Sequence, residues 1–140
     1  MSSAGVPGDD ASTAAAVSGD GRFVAFWSSA STLVAGDTNG TTDVFVRDRQ
    51  TQTTERVSVD SLERQSAGGD AFGSPDTSFG RPAISGDGRF VAFASTAINL
   101  VKGDRNLWRA RSRRGSLSCA DGRAAGPGND REPCRYGCSI

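Results

Sequence analysis

SGDGRFVAF occupies residues 18–26 and returns unchanged at 85–93. The match runs on in both directions, since AVSGDGRFVAFWSSASTLVAGD (16–37) lies over AISGDGRFVAFASTAINLVKGD (83–104) without a gap. Self-similarity at a fixed period is the mark of a repeat architecture, in which each unit buries its apolar surface against the next. Ser-Gly-Asp-Gly is turn chemistry. Asp20 and Asp87 supply carboxylates for the turn amides, and Gly21 and Gly88 can take positive φ without steric cost. A strand follows each turn. Phe23, Ala25 and Trp27 alternate with Val24 and Phe26, and Phe90, Ala92 and Ala94 alternate with Val91 and Phe93. Both sides are apolar, so both faces are expected to be covered. The run is too short, too rich in β-formers and too closely flanked by glycine for a helix.

Working outward, Thr13 to Val17 reads as the strand entering the first turn, and 29–42 as a loop ending in GDTNGTTD. Asp43 to Asp48 (DVFVRD) reads as a third strand. Glu55 to Val59 reads as a fourth, with Arg56 and Ser58 on its wet side as on a sheet edge. Four antiparallel strands, the inner ones buried on both faces and the last wetter, describe a propeller blade. The expected fold is therefore all-β, with one full four-stranded antiparallel β-propeller blade at 13–60 and the start of a second at 82–104. A polar connection at 61–81 joins them, and the small, Gly-rich residues 1–12 read as part of another such connection.

S-x-D-G-R-F-V-A-F, followed by S-x-A-x-x-L-V-x-G-D-x-N-G and D-V-F-V-R-D-R, resembles the TolB-like, WD-repeat-like β-propeller repeats of bacteria. The resemblance covers about residues 13–104. It implies a propeller that is extracytoplasmic and serves as a binding scaffold, sometimes joined to a catalytic domain. Its phrases define the repeat type and no particular activity. MSSAGVPGDDAST has neither a basic n-region nor an apolar h-region, so no signal peptide is visible in the chain itself.

After Asp104 the repeat breaks. In the same alignment the DTNGTTDVFVRD of the first copy should recur at 104–115, where the chain reads DRNLWRARSRRG. Residues 105–140 are rich in Arg, Gly and Cys, and read as an irregular, disordered tail or as an out-of-frame product of a GC-rich gene. A genuine basic tail is the other reading. Arg105, Arg109, Arg111, Arg113 and Arg114 around Trp108 form a pattern known from single-strand binders, but with no fold to present it nucleic acid is not an expected partner.

Composition narrows the chemistry. Net charge is zero, yet residues 1–101 carry −5 and 102–140 carry +5. Histidine is absent, which excludes His-based triads and His zinc ligands. The three cysteines (119, 134 and 138) have no zinc-like spacing, and no apolar stretch approaches a membrane span. No nucleotide-binding loop or nucleophile elbow occurs. The one constellation suited to a ligand is Asp37, Asn39, Thr41 and Asp43, hard oxygens at alternating positions around Gly40, as Ca²⁺ requires. The same residues also suit a plain turn, with Asp37 and Asn39 closing it on Gly40. In the second repeat Asp104 and Asn106 persist, but Ala110 stands where the closing carboxylate should be.

The expected function is a non-catalytic binding or interaction scaffold that engages a protein or glycan, with no cofactor beyond a Ca²⁺ at 37–43. Association through exposed blade edges is expected as well. The alternatives are the propeller portion of a hydrolase encoded with a further domain, or a truncated, frameshifted product without function.

Overall fold

The computed structural model describes residues 1–67 and 81–100 with their side chains, and the backbone alone at 108–112, 115–120 and 123–125. The described residues form an all-β fold of antiparallel sheets without a helix. The first sheet is a simple meander of β1 (Ser12–Val17), β2 (Phe23–Ser28), β3 (Asp43–Asp48) and β4 (Thr53–Arg56), each strand paired with the next. The second runs β5 (Ala83–Ile84), β6 (Phe90–Ala94), β7 (Trp108–Ser112), β8 (Gly115–Ala120) and β9 (Arg123–Ala125) in the same order.

β1 is irregular. Thr13 pairs with Trp27 and Ala16 with Ala25, so β1 holds one more residue than its partner over that interval, and Ala14 sits at φ 52°. That is a β-bulge on an edge strand.

Both turns fold alike. Ser18 N donates to Phe23 O at 2.9 Å and Gly21 N to Ser18 O at 2.9 Å; Ser85 N to Phe90 O and Gly88 N to Ser85 O repeat this, both at 2.9 Å. Gly21 and Gly88 stand at φ 71° and 70°, where a side chain is strained. Asp20 accepts from the Ser18 hydroxyl and the Arg22 amide, and Asp87 from the Ser85 hydroxyl and the Arg89 amide. These bonds, the serine hydroxyl foremost, hold both carboxyls below their ordinary range.

The two sheets pack front to back. On one face of the first sheet, Phe23, Ala25, Trp27, Val44 and Val46 are buried together with Val57. Against them lie Ile84, Val91, Phe93, Ala97 and Leu100 from the second sheet and its following loop. In the repeat alignment Val91 and Phe93 correspond to Val24 and Phe26, which lie on the opposite face of β2. On that opposite face, Phe26 stacks on Phe45 with ring centroids 5.8 Å apart, and Ala30, Leu33 and Val34 from the loop close over them. The turns also touch, with Gly19 N donating to Gly86 O at 3.0 Å. Gly88 lies so close to the Phe23 ring that a Cβ there would come within 2.0 Å of it.

Within the stretch expected to be an irregular, disordered or out-of-frame tail, the backbone at 108–112, 115–120 and 123–125 forms strands, and β7 pairs with β6 as β3 pairs with β2. The repeat alignment misplaces it. Trp27 pairs with Val44, and the ungapped alignment carries that pair to Ala94 and Arg111. Ala94 instead pairs with Trp108. Fewer residues thus separate the paired positions than in the first copy. Residues 68–80, 101–107, 113–114, 121–122 and 126–140 lie outside the described residues, and with them parts of the expected connection, second repeat and tail.

Gly21→Ala and Gly88→Ala test the contact between the sheets. Both introduce Cβ strain at the same φ, costing about 1–2 kcal/mol. Only Gly88→Ala also collides with Phe23, for a further ~1–3 kcal/mol of overpacking. In denaturant melts the excess at Gly88 should shrink by about 1 kcal/mol or more in a Phe23→Ala background. Equal costs at the two glycines would mean that the sheets do not meet there.

Candidate functional site

The 37–43 loop delivers its polar side chains to the start of β3. Gly40 sits at φ 65°, and Asn39 Oδ1 accepts from Thr41 N at 3.2 Å, which makes the segment a side-chain-closed turn. Asn39 Nδ2 donates to Asp43 Oδ2 at 2.9 Å and to Ser66 Oγ at 2.9 Å. Asp43 is fully buried. Its Oδ1 accepts from the hydroxyls of Ser58 and Ser66, and its Oδ2 also meets Arg56 at 3.3 Å. Arg56 bridges the two carboxylates, since the same Nη1 lies 2.8 Å from Asp37 Oδ1. Thr41 Oγ1 faces Ser66 Oγ at 3.4 Å.

The four expected calcium ligands are thus brought together, but their polar groups are engaged by protein partners. Asn39 presents its amide N–H groups to Asp43, and a guanidinium supplies the positive charge that the carboxylates need. Among the described residues no three of His, Cys, Asp and Glu group as metal ligands do. Burial pushes the Asp37 carboxyl up, with Asp43 adding to the rise and Arg56 opposing it. Arg56 Nε is itself buried without a partner, so this ion-pair cluster is not fully satisfied.

Arg56, Ser58 and Ser66 were not legible as members of the cluster. Read as a wet strand side, Arg56 is in fact part-buried and Ser58 wholly buried. The reason is that β4 ends at Arg56 and the chain turns inward, burying 57–60 in succession. Asp60 then fixes a tight loop by accepting from the amides of Leu62 and Arg64 and from Arg64 Nε at 2.7 Å. The following residues form a polar strap between the sheets. Gln65 bonds Thr38 on the first loop, while Asn99 on the second accepts from Ala67 N at 2.7 Å and donates to Gln65 O at 2.9 Å.

A second charged pair anchors the other end of the first sheet. Arg22 Nη2 lies 2.7 Å from Asp48 Oδ2, Arg22 Nε meets both carboxylate oxygens, and the guanidinium stands 4.7 Å from the Phe23 ring centre. Asp48 also accepts from the amides of Gln50 and Thr51. The Arg22 hydrogen bonds above all hold the Asp48 carboxyl far below the usual carboxylate range. Asp104, Asn106 and the side chains of Trp108, the tail arginines, Ala110 and the cysteines lie outside the described residues. No helix among the described residues is long and apolar enough to cross a membrane.

Both clusters are open to measurement. Asp43→Ala leaves the buried Ser58 and Ser66 hydroxyls without their acceptor and Arg56 with only its Asp37 partner, and should cost about 2 kcal/mol or more by urea unfolding. Asp37→Asn keeps the side chain's shape and leaves Arg56 its Asp43 partner, and should cost less than Asp43→Ala. It should also remove one contribution to the pH dependence: an acid whose folded pKa is raised stabilises most at low pH, and loses that contribution as pH rises through the folded value.

Asp48 has a depressed folded pKa and acts in the opposite sense. Its contribution is present above the unfolded value of about 4 and lost as pH falls below it. Melts of wild type and Arg22→Ala between neutral and acid pH should show the variant less stable at neutrality and falling less steeply in acid. Parallel curves would rule out the pair as a source of the acid limb.

Comparison of the chain with family models, with curated proteins and with solved structures gives no match.

Proposed function

We propose that the two sheets are consecutive blades of a β-propeller, and that the chain acts as a non-catalytic scaffold whose ligand is a protein or a glycan. The observation that carries this reading is the front-to-back packing of the sheets, with equivalent turns in contact through Gly19 and Gly86. Strands in meander order within each sheet, and repeats packed with their equivalent turns side by side, are what radial repetition around an axis requires. The resemblance of residues 13–104 to TolB-like repeats supports the same arrangement and an extracytoplasmic setting.

The acidic cluster fits a scaffold better than a reaction centre. Asp43 is closed off from water, and its oxygens are occupied by Asn39, Arg56, Ser58 and Ser66. The chemistry it can perform is to hold a loop and a connection in place.

The test is a screen of the purified chain on glycan and peptide arrays, beside ester, peptide and glycoside hydrolysis assays. Retention of a defined ligand without turnover is the expected result. Turnover that disappears on replacing one of the chain's own serines or carboxylates would overturn the scaffold reading.

A further inference from the structure

β4 is the last strand of the first sheet, and its outer edge is not bare. Val57 N donates to Val44 O at 2.8 Å, which makes 44–57, 46–55 and 48–53 the pairs bonded through the backbone. The backbone groups of Thr54 and Arg56 therefore turn outward. Ser3 serves both of those on Thr54. Its hydroxyl accepts from Thr54 N at 2.9 Å and donates to Thr54 O at 3.4 Å, standing where a neighbouring strand would place its own carbonyl and amide. Thr54 Oγ1 also donates to Met1 O at 2.7 Å, and Arg47 Nη1 donates to Ser2 O at 2.8 Å and to Thr54 Oγ1 at 3.0 Å. One short run of chain imitates a single rung of a sheet.

The imitation is held by polar groups. Met1 is 61 % exposed and Val6 52 % exposed, and of residues 1–7 only Ser2 is buried. Ser2 N donates to Val6 O and Gly5 N to Ser2 O, with Gly5 at φ 77°, so 2–6 is a closed turn and not a strand. The firm attachment lies farther on. Gly8 sits so close to Ala30 that a Cβ would come within 2.9 Å of it, and Asp9 accepts from the Ser31 hydroxyl and from Thr32 N. Residues 1–6 can leave the edge while 8–10 stay in place. Arg47 adds the second observation. Its guanidinium meets carbonyl and hydroxyl oxygens, and among the described residues no carboxylate forms an ion pair with it. A carboxylate in place of Met1 O and Ser2 O would make those bonds charge-assisted on both sides.

We propose that the outer edge of β4, with Arg47 beside it, docks an extended acidic peptide of a partner protein by strand addition, and that residues 1–6 occupy this edge until the peptide displaces them. Main-chain bonds to Thr54 and Arg56 supply the pairing. Arg47 and Thr54 are paired in register, so a peptide residue opposite Thr54 projects on the same face as Arg47. Arg47 already reaches across Thr54 to the segment beyond, and a carboxylate there takes its guanidinium. This gives the scaffold reading its class of partner, and rests on that reading in taking the ligand to be a protein.

Fluorescence anisotropy of labelled, end-capped hexapeptides with the full chain tests the proposal. The probe alternates Thr with Glu, and the controls alternate Thr with Gln or with Lys. Wild type should bind the Glu peptide about threefold or more tightly than the Gln peptide, with the Lys peptide weakest. Ser3→Ala removes the covering hydroxyl and should tighten binding of the Glu peptide about threefold or more. Arg47→Gln should erase the preference for Glu over Gln. Thr54→Pro removes the outward amide at an edge position, where proline is tolerated, and should lose the peptide while keeping a cooperative melt. Hydrogen exchange on wild type reads the same site without a variant, since saturating Glu peptide should slow the Arg56 amide. No binding of the Glu peptide to Ser3→Ala, equal binding of Glu and Gln peptides, or an unchanged Arg56 amide would overturn the proposal. An array ligand whose retention ignores Arg47→Gln, with no Glu-peptide binding, leaves the scaffold reading standing and removes this site. Turnover by the chain, with Glu-peptide binding intact, does the reverse.

Discussion

The structure depends on a phenylalanine that needs a glycine opposite it. Phe23 lies at the first position of β2, beside a turn, and the ring has room only because Gly88 has no Cβ. The same glycine must sit at positive φ to close its own hairpin. One residue thereby meets two demands, one local and one between sheets, and local and long-range preferences agree in the way that gives a folding chain a single answer. Around this point the remaining apolar contacts of β2, β3 and β6 assemble in layers.

The other organising element is polar. Asp43 is buried with a set of donors drawn from its own loop, from the strand beyond and from the connection that leaves the sheet. A carboxylate in such a place is costly unless every lone pair is met. Meeting them draws Ser58 and Ser66 inward and commits the connection to a path along the first loop, from which Gln65 and Ala67 reach Asn99. Apolar packing sets how the sheets face one another, and this network sets how the chain travels between them.

Much of the first sheet was legible in the sequence because its signals are local. The turn at 18–21 and the strand Asp43–Asp48 follow from Asp-Gly chemistry and from apolar residues on alternating sides. The polar strap was not legible, since Arg56, Ser58 and Ser66 are residue types that normally face water and nothing in their spacing marks them as acceptor-seeking. β7 was hidden for another reason. WRARS does alternate, Trp108 and Ala110 with Arg109 and Arg111, but it pairs with β6 out of register with the repeat, so an ungapped comparison of the two copies passes over it. The 37–43 residues did gather as their spacing suggested, but around the guanidinium of Arg56 at the end of the next strand. No reading of the loop by itself could supply that partner.

The bulge in β1 bears on how the molecule avoids uncontrolled aggregation. An open edge of well-aligned amides and carbonyls would template any extended chain that met it. In β1 the extra residue and the positive φ of Ala14 break that alignment partway along the strand. An incoming strand would find donors and acceptors out of step soon after it began to pair, with too short a run to hold it. The edge is thereby made unfit for the indiscriminate zipping that leads to fibrils, while the side-chain surfaces above and below it keep their shape.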